Sequence, residues 1–340
     1  MAILIVTHST DNESPRAVAR ALEARGERVY RFDTDLFPTD LQLSLDEGGG
    51  GRISGGAGEL ELSEVSAVWY RRNATGTRIP PGVDAQLRQP SMEESRRMVL
   101  GMMAALGVFQ MDALEVVRRA EQKPLQLKLA RALGLEVPRT VMTNDPEAVR
   151  AFARSCPGGV VTKMMASFAV YGERGEEQVV FTTPLDEKQL EDLDGLDLCP
   201  MTFQERVEKA LELRVTVVGE QVMAASIDSQ AKPGAREDWR REGLALIDAW
   251  RPYPLPEPVR RRVLALMDAL GLNYGALDFI VTPEGRHVFL EVNPVGEFMW
   301  LMRSPGLPIA EALADVLAGH AARRSGPRPC VAASPVVARG

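Results

Sequence analysis

Lysine is scarce in this sequence: six of forty basic residues are lysine (Lys123, Lys128, Lys163, Lys188, Lys209 and Lys232), and the rest are arginine. A lysine kept against such a bias marks a place where a compact ammonium is wanted and a guanidinium fork would not fit. Cysteine is scarcer still. Cys156, Cys199 and Cys330 are scattered and odd in number, which excludes a disulfide framework and a cysteine metal site and leaves a reducing cytoplasm as the expected setting. The three histidines, His8, His287 and His320, lie far apart and support no Ser–His–Asp arrangement. No apolar run approaches the roughly 20 residues that cross a bilayer. The opening Met-Ala-Ile-Leu-Ile-Val has no basic segment before it and reads as a first strand rather than a signal peptide. Net charge is −7, against a nucleic-acid partner held by phosphate neutralisation.

What is present is an α/β pattern over 340 residues, too long for a single core, so two or three lobes are expected. Strands are predicted at 2–7, 28–32, 65–70, 137–142, from 202 onward, and at 211–218, 221–226, 275–281 and 287–293. Residues 159–165 and 178–182 read as a strand pair. Helices are predicted at 14–25, from Pro90 to about 106, at 124–133 and 258–270, and at 308–323. The glycines between 48 and 58 read as a loose hairpin turn. They lack a Gly-Lys-Ser/Thr ending and do not lead into a helix, so they make no phosphate loop. The tail from Ser325 carries no periodicity and is expected to be disordered.

The most informative stretch is Leu277-Asp278-Phe279-Ile280-Val281 followed by Phe289-Leu290-Glu291-Val292-Asn293-Pro294. Strand side chains alternate, so Glu291 and Asn293 share a face, and an antiparallel neighbour brings Asp278 onto it. Phe279, Val281, Val288 and Leu290 are expected to wall this group off. Two carboxylates and an amide oxygen make a hard-cation site, and Mg2+ suits it because phosphate oxygens and water complete its shell.

That ending resembles the metal-binding end of ATP-grasp ligases, and further motifs precede it in the family's order. Ala120-Glu121-Gln122-Lys123 and Val160-Val161-Thr162-Lys163 resemble the two nucleotide lysines. Phe203-Gln204-Glu205-Arg206-Val207 resembles the hinge, where backbone groups of Glu205 and Val207 pair with adenine. Glu212 fits the ribose acceptor and Arg214 the phosphate-side arginine. The resemblance implies an ATP-grasp fold with a Rossmann-like pre-ATP-grasp lobe (1–114), a central lobe (115–204), a C-terminal lobe (205–324) and a tail (325–340). One departure stands out: 164–177 holds only Gly172 and Gly175 where a glycine-rich lid is usual.

More narrowly, Trp69-Tyr70-Arg71-Arg72, Ser226-Ile-Asp-Ser-Gln, Asp238-Trp239-Arg240 and Asn293-Pro-Val-Gly-Glu-Phe-Met-Trp300 resemble the graspetide (microviridin-type) peptide maturases. Gln110-Met111-Asp112-Ala113 departs from the Trp-Asn-style segment expected before the first lysine. The resemblance implies ATP-dependent activation of Asp or Glu side chains in a ribosomal precursor peptide (leader plus acidic core). Attack by a Thr or Ser hydroxyl, or a Lys amine, then closes a ring. It assigns ATP to Lys123, Lys163, Gln204, Glu205, Val207 and Glu212, and Mg2+ to Asp278, Glu291 and Asn293. Arg214 falls to the transferring phosphoryl group, Arg240 to the acidic substrate, and Arg71 or Arg72 to the acidic peptide as well. A homodimer without nucleic-acid or membrane partners is implied. Two other readings share the nucleotide site: a ligase of free amino acids or small amines, and a non-catalytic nucleotide- or peptide-binding protein.

Overall fold

The computed structural model of the chain describes residues 1–56, 58–165, 169–171, 177–179, 182–236 and 238–327. Four parallel strands form the N-terminal sheet in the order Arg28–Asp33, Ala2–Thr7, Val65–Tyr70, Phe109–Gln110. Ala2–Thr7 is buried along its whole length, which is why it reads as an unbroken apolar run. Ile3 and Ile5 pack with Val18 and Leu22 of helix Ser14–Glu23 and with the final helix, Ile309–Ala318. Leu4 and Val6 pack with Val99, Met102 and Met103 of helix Ala85–Ala105. Strand order reverses between Ala2–Thr7 and Val65–Tyr70, so the crevice beyond Thr7 and Tyr70 is where such a sheet gathers polar groups.

The central sheet is antiparallel, ordered Thr183–Leu185, Val160–Lys163, Met201–Glu205, Thr140–Thr143. Helix Pro146–Arg154, capped by Asp145, buries Val149 against Val160 and Phe203. The C-terminal sheet, also antiparallel, runs Arg251–Pro252, Gln221–Ile227, Leu211–Val218, Tyr274–Val281, His287–Asn293. One of its faces carries Leu213, Val215, Val217, Leu277, Phe279 and Phe289. It packs on Ala130 of helix Lys123–Ala132 and on Val263, Leu266 and Leu270 of helix Glu257–Leu270. Burial of each large side chain here contributes about 2 kcal/mol. The opposite face is polar where it carries Glu212, Arg214, Asp278 and Glu291, and apolar at its other end, where Val218, Tyr274 and Ala276 pack with Phe298, Leu301 and Leu313.

Several boundaries differ from expectation. The helix expected to open at Pro90 starts at Ala85, because Asp84 accepts from the Gln86 amide and so caps it, and Pro90 is carried inside. The last helix stops at Ala318, since Gly319 takes φ +79°, a left-handed cap that ends the helix before 323. The glycine-rich stretch spaces three antiparallel strands, Leu41–Leu45, Gly51–Gly55 and Gly58–Glu61, rather than a loose hairpin. Val160–Lys163 pairs with Thr183–Leu185, just beyond the expected 178–182. Helix Leu114–Ala120 was not anticipated. Beyond Met165, most of the segment read as a lid falls outside the described residues, as do tail residues 328–340.

Candidate functional site

The polar face of the C-terminal sheet and the end of the central sheet enclose a cleft of about 210 Å³. Its lining includes Lys123, Lys163, Gln204, Glu205, Val207, Glu212, Arg214, Arg240, Asp278, Glu291 and Asn293. Alternation builds it. Arg214, Asp278 and Glu291 stand in one cross-strand row, because Arg214 is opposite Asp278 and Asp278 is opposite Glu291. The next row puts Asn293 opposite Ala276, on the same face. The Arg214 guanidinium lies 3.2 Å from the Asp278 carboxylate and 5.2 Å over the Trp300 ring.

The register slips after Asp278, where Phe279 pairs with Phe289 and leaves Leu290 as the bulged residue. Leu290 therefore joins Glu291 in lining the cleft instead of backing it, as simple alternation required, while Phe279 and Phe289 stay in the core.

Lys123 begins its helix and binds Glu291 through its ammonium group. The helix is held in register by Gln126, one turn on and 1% exposed. Its amide donates to the carbonyls of Ala120 (2.6 Å) and Val292 (2.8 Å), and its oxygen accepts from the Val292 amide at 3.0 Å. His287–Asn293 is an edge strand, so Gln126 stands in for the missing neighbour between Glu291 and Asn293. Gln126→Leu is expected to cost about 2–4 kcal/mol by orphaning these backbone groups. Urea unfolding checks this, and an unchanged midpoint would contradict it.

Charge is densely arranged. Burial would raise the Glu291 carboxyl, but Lys123 and Lys163 outweigh it and hold the group at about 2. Burial raises Asp278, with Glu291 adding to the rise and Arg214 opposing it. Burial pulls the Lys163 ammonium below the ordinary lysine value, helped by Lys123 and opposed by Glu291 and Asp278. Glu212 is raised by burial against the pull of Lys209, 3.0 Å away. At the hinge, the Glu205 amide donates to the Arg139 carbonyl and the Glu205 carboxylate accepts from the Arg139 amide, both at 2.9 Å. That amide is thus unavailable to a ligand. The Gln204 side chain is buried and donates to the Thr140 hydroxyl at 2.9 Å. Arg240 grips Asp238 through a fork of 2.8 and 2.5 Å, yet its side chain stays 50% exposed. The bond to Asp238 raises the Arg240 pKa above the ordinary guanidinium value and outweighs the burial that would lower it.

Arg71 and Arg72 do not line this cleft. The Arg71 side chain is 2% exposed, bonded to Asp11 and Glu297 and flanked by Trp69 and Phe298, which corrects its expected place against an acidic peptide. Arg72 reaches the same two acids from a more open position. Among residues given no role from sequence, Lys209 and Asp238 line the cleft and Gln126 supports it. Lys209 had a signal, since three of the six lysines line the cleft. Trp239, Trp250 and Trp300 form one aromatic cluster with centroids 5.2–6.2 Å apart.

Two antiparallel sheets closing on a cleft of paired lysines, arginines and carboxylates define an ATP-grasp ligase. The family profile of the MvdD pre-ATP grasp domain matches residues 2–118. The chain is 48% identical to macrocyclase MdnC of Microcystis aeruginosa MRC, a structure bound with precursor peptide MdnA; the match covers 94% of this chain and 100% of that one, with a TM-score of 0.86. It is 38% identical to a RiPP-associated ATP-grasp ligase of Chryseobacterium gregarium in complex with ADP and a leader and core peptide, over 96% and 99% of the chains, with a TM-score of 0.90. It is 25% identical to ATP-grasp ligase PsnB complexed with minimal precursor, Mg and ADP, over 93% and 96%, with a TM-score of 0.75. The chain belongs to the family of RiPP-associated ATP-grasp ligases, the graspetide type that its motifs resemble.

Proposed function

We propose that this chain is an ATP-dependent macrocyclase of a ribosomal precursor peptide, using ATP and Mg2+. The observation that carries the reading is the single cleft in which Lys123, Lys163 and Arg214 face Asp278, Glu291 and Asn293. Among the described residues no three His, Cys, Asp or Glu gather as a metal cage. Two carboxylates and an amide suit an ion that shares its shell with phosphates and water. Asn293 Oδ1 already accepts from the Val295 amide at 3.0 Å, leaving one lone pair for a cation. Bound Mg2+ would neutralise phosphate charge as transfer proceeds.

The protein's own groups then do the following. The hinge offers adenine the Val207 amide and the Glu205 carbonyl, and Glu212 accepts from ribose. Lys123 and Lys163 hold the phosphates. Arg240, oriented by Asp238, holds an Asp or Glu side chain of the peptide, since a guanidinium fork suits a carboxylate. A carboxylate oxygen attacks the γ-phosphorus and ADP leaves, while Arg214 offsets the repulsion between the two anions. A Thr or Ser hydroxyl, or a Lys amine, attacks the acyl phosphate, loses its proton and expels phosphate. Each ring consumes one ATP and removes the elements of one water. The strand groupings support lobes at 1–114, 115–204 and 205–324, and the free thiols of Cys156 and Cys199 support a reducing cytoplasm. Among the described residues no helix is long and apolar enough to cross a membrane.

An acidic peptide carrying Asp or Glu near Thr, Ser or Lys is expected to stimulate ADP release severalfold, and free amino acids to leave it unchanged. The reverse pattern would make the chain a small-molecule ligase. Absence of Mg·ATP binding in calorimetry would make it non-catalytic.

A further inference from the structure

The Glu297 carboxylate sits outside the nucleotide cleft and takes six donors. Oε1 accepts from Ser14 Oγ (2.9 Å) and from the amides of Phe298 (2.9 Å) and Met299 (3.0 Å). Oε2 accepts from Asn12 Nδ2 (2.5 Å), Arg71 (2.5 Å) and Arg72 (3.2 Å). Four of these donors follow the two central strands of the N-terminal sheet, at the crevice where its strand order reverses. An acid of the C-terminal part thus occupies an anion cradle made by the N-terminal part.

Glu297 follows Asn293 by four residues, and the turn between them has no slack. The Gly296 amide donates to the Asn293 carbonyl at 3.3 Å, and the Tyr274 hydroxyl donates to the Gly296 carbonyl at 2.6 Å. A Cβ on Gly296 would lie 2.5 Å from Cβ of Ala276, the cross-strand partner of Asn293. A shift at Glu297 must therefore pass into Asn293.

We infer that Glu297 is a positioning residue for the cation site: seated in the Arg71, Arg72, Asn12 and Ser14 cradle, it fixes the turn that presents Asn293. Through it the N-terminal lobe sets how tightly the metal is held with the nucleotide. The inference rests on the proposed ligands Asp278, Glu291 and Asn293. Partners that orient a ligand are commonly worth 10–100-fold in metal affinity.

The test is calorimetry of ADP binding to the full chain with Mg2+ and with chelator, the readout being the gain in affinity that Mg2+ brings. Glu297→Gln is expected to shrink that gain about 10-fold while ADP alone binds as before. Asp315→Asn is the control. It breaks another contact between the two ends of the chain, Arg25 to Asp315 at 2.7 Å, away from the turn, and is expected to leave the gain intact even with a lower Tm. An unchanged gain in Glu297→Gln, or an equal loss in Asp315→Asn, overturns the inference. If Glu297→Gln does not fold, Arg72→Gln removes one exposed donor and must still shrink the gain; no change there also overturns it. If Glu291→Ala keeps the gain, the ligand assignment falls and this inference with it. If Glu291→Ala loses the gain and Glu297→Gln keeps it, this inference alone falls.

Discussion

Glu291→Ala is expected to lower ATP turnover by about 10²–10³-fold without unfolding the chain. The carboxylate has two tasks in the proposed site. It supplies one of only two negative ligands to the cation, and it fixes the Lys123 ammonium beside it. Without it, Asp278 is left to balance Arg214, Arg240, Lys123 and Lys163, and the repulsion among these cations grows. The fold survives because Glu291 lies on the polar face of its strand, while the apolar face, with Phe289 and Val292, is untouched. Glu291→Gln keeps the shape and loses the charge, so a similar loss there assigns the effect to charge. Near-normal steady-state turnover in both variants would mean that the cation is held elsewhere.

Arg71→Leu is expected to destabilise the chain by about 3 kcal/mol, read as a shift in the urea midpoint. Removing the guanidinium strands two acids. The Asp11 side chain is 1% exposed and bonded to Arg71 at 2.8 Å; burial would raise the Glu297 carboxyl, but Arg71 holds it at about 2. Uncompensated buried charges cost roughly 3–5 kcal/mol, and the low end applies because Arg72 approaches both acids, at 3.6 and 3.2 Å. A shift below about 1 kcal/mol, the range of an exposed pair, would show that Arg71 is not the tie described.

The row of Arg214, Asp278 and Glu291, with Asn293 beside it, was legible because strand alternation is local: Glu291 and Asn293 are two residues apart, and the period of two puts them on one face. The bulge at Leu290 was not legible, since it depends on how Phe279 and Phe289 meet in the core. Lysine scarcity pointed to Lys123 and Lys163, and equally to Lys209. Arg71 was misplaced because its partners lie 60 and 226 residues away in sequence, and an arginine at a strand end looks the same whether solvated or buried. Gln126 reads as an ordinary helix residue until an edge strand lies beside it. The helix starting at Ala85 was obscured by Pro90, which reads as a helix start because it lacks an N–H but lies in the second turn of a helix that Asp84 caps.

Mass spectrometry of an acidic precursor peptide incubated with the chain, Mg2+ and ATP tests the central claim most directly. The account predicts peptide products lighter by one water for each ADP formed, with rings joining Asp or Glu to Thr, Ser or Lys. A peptide of unchanged mass while ADP accumulates, or one that gains the mass of a free amino acid, would contradict it.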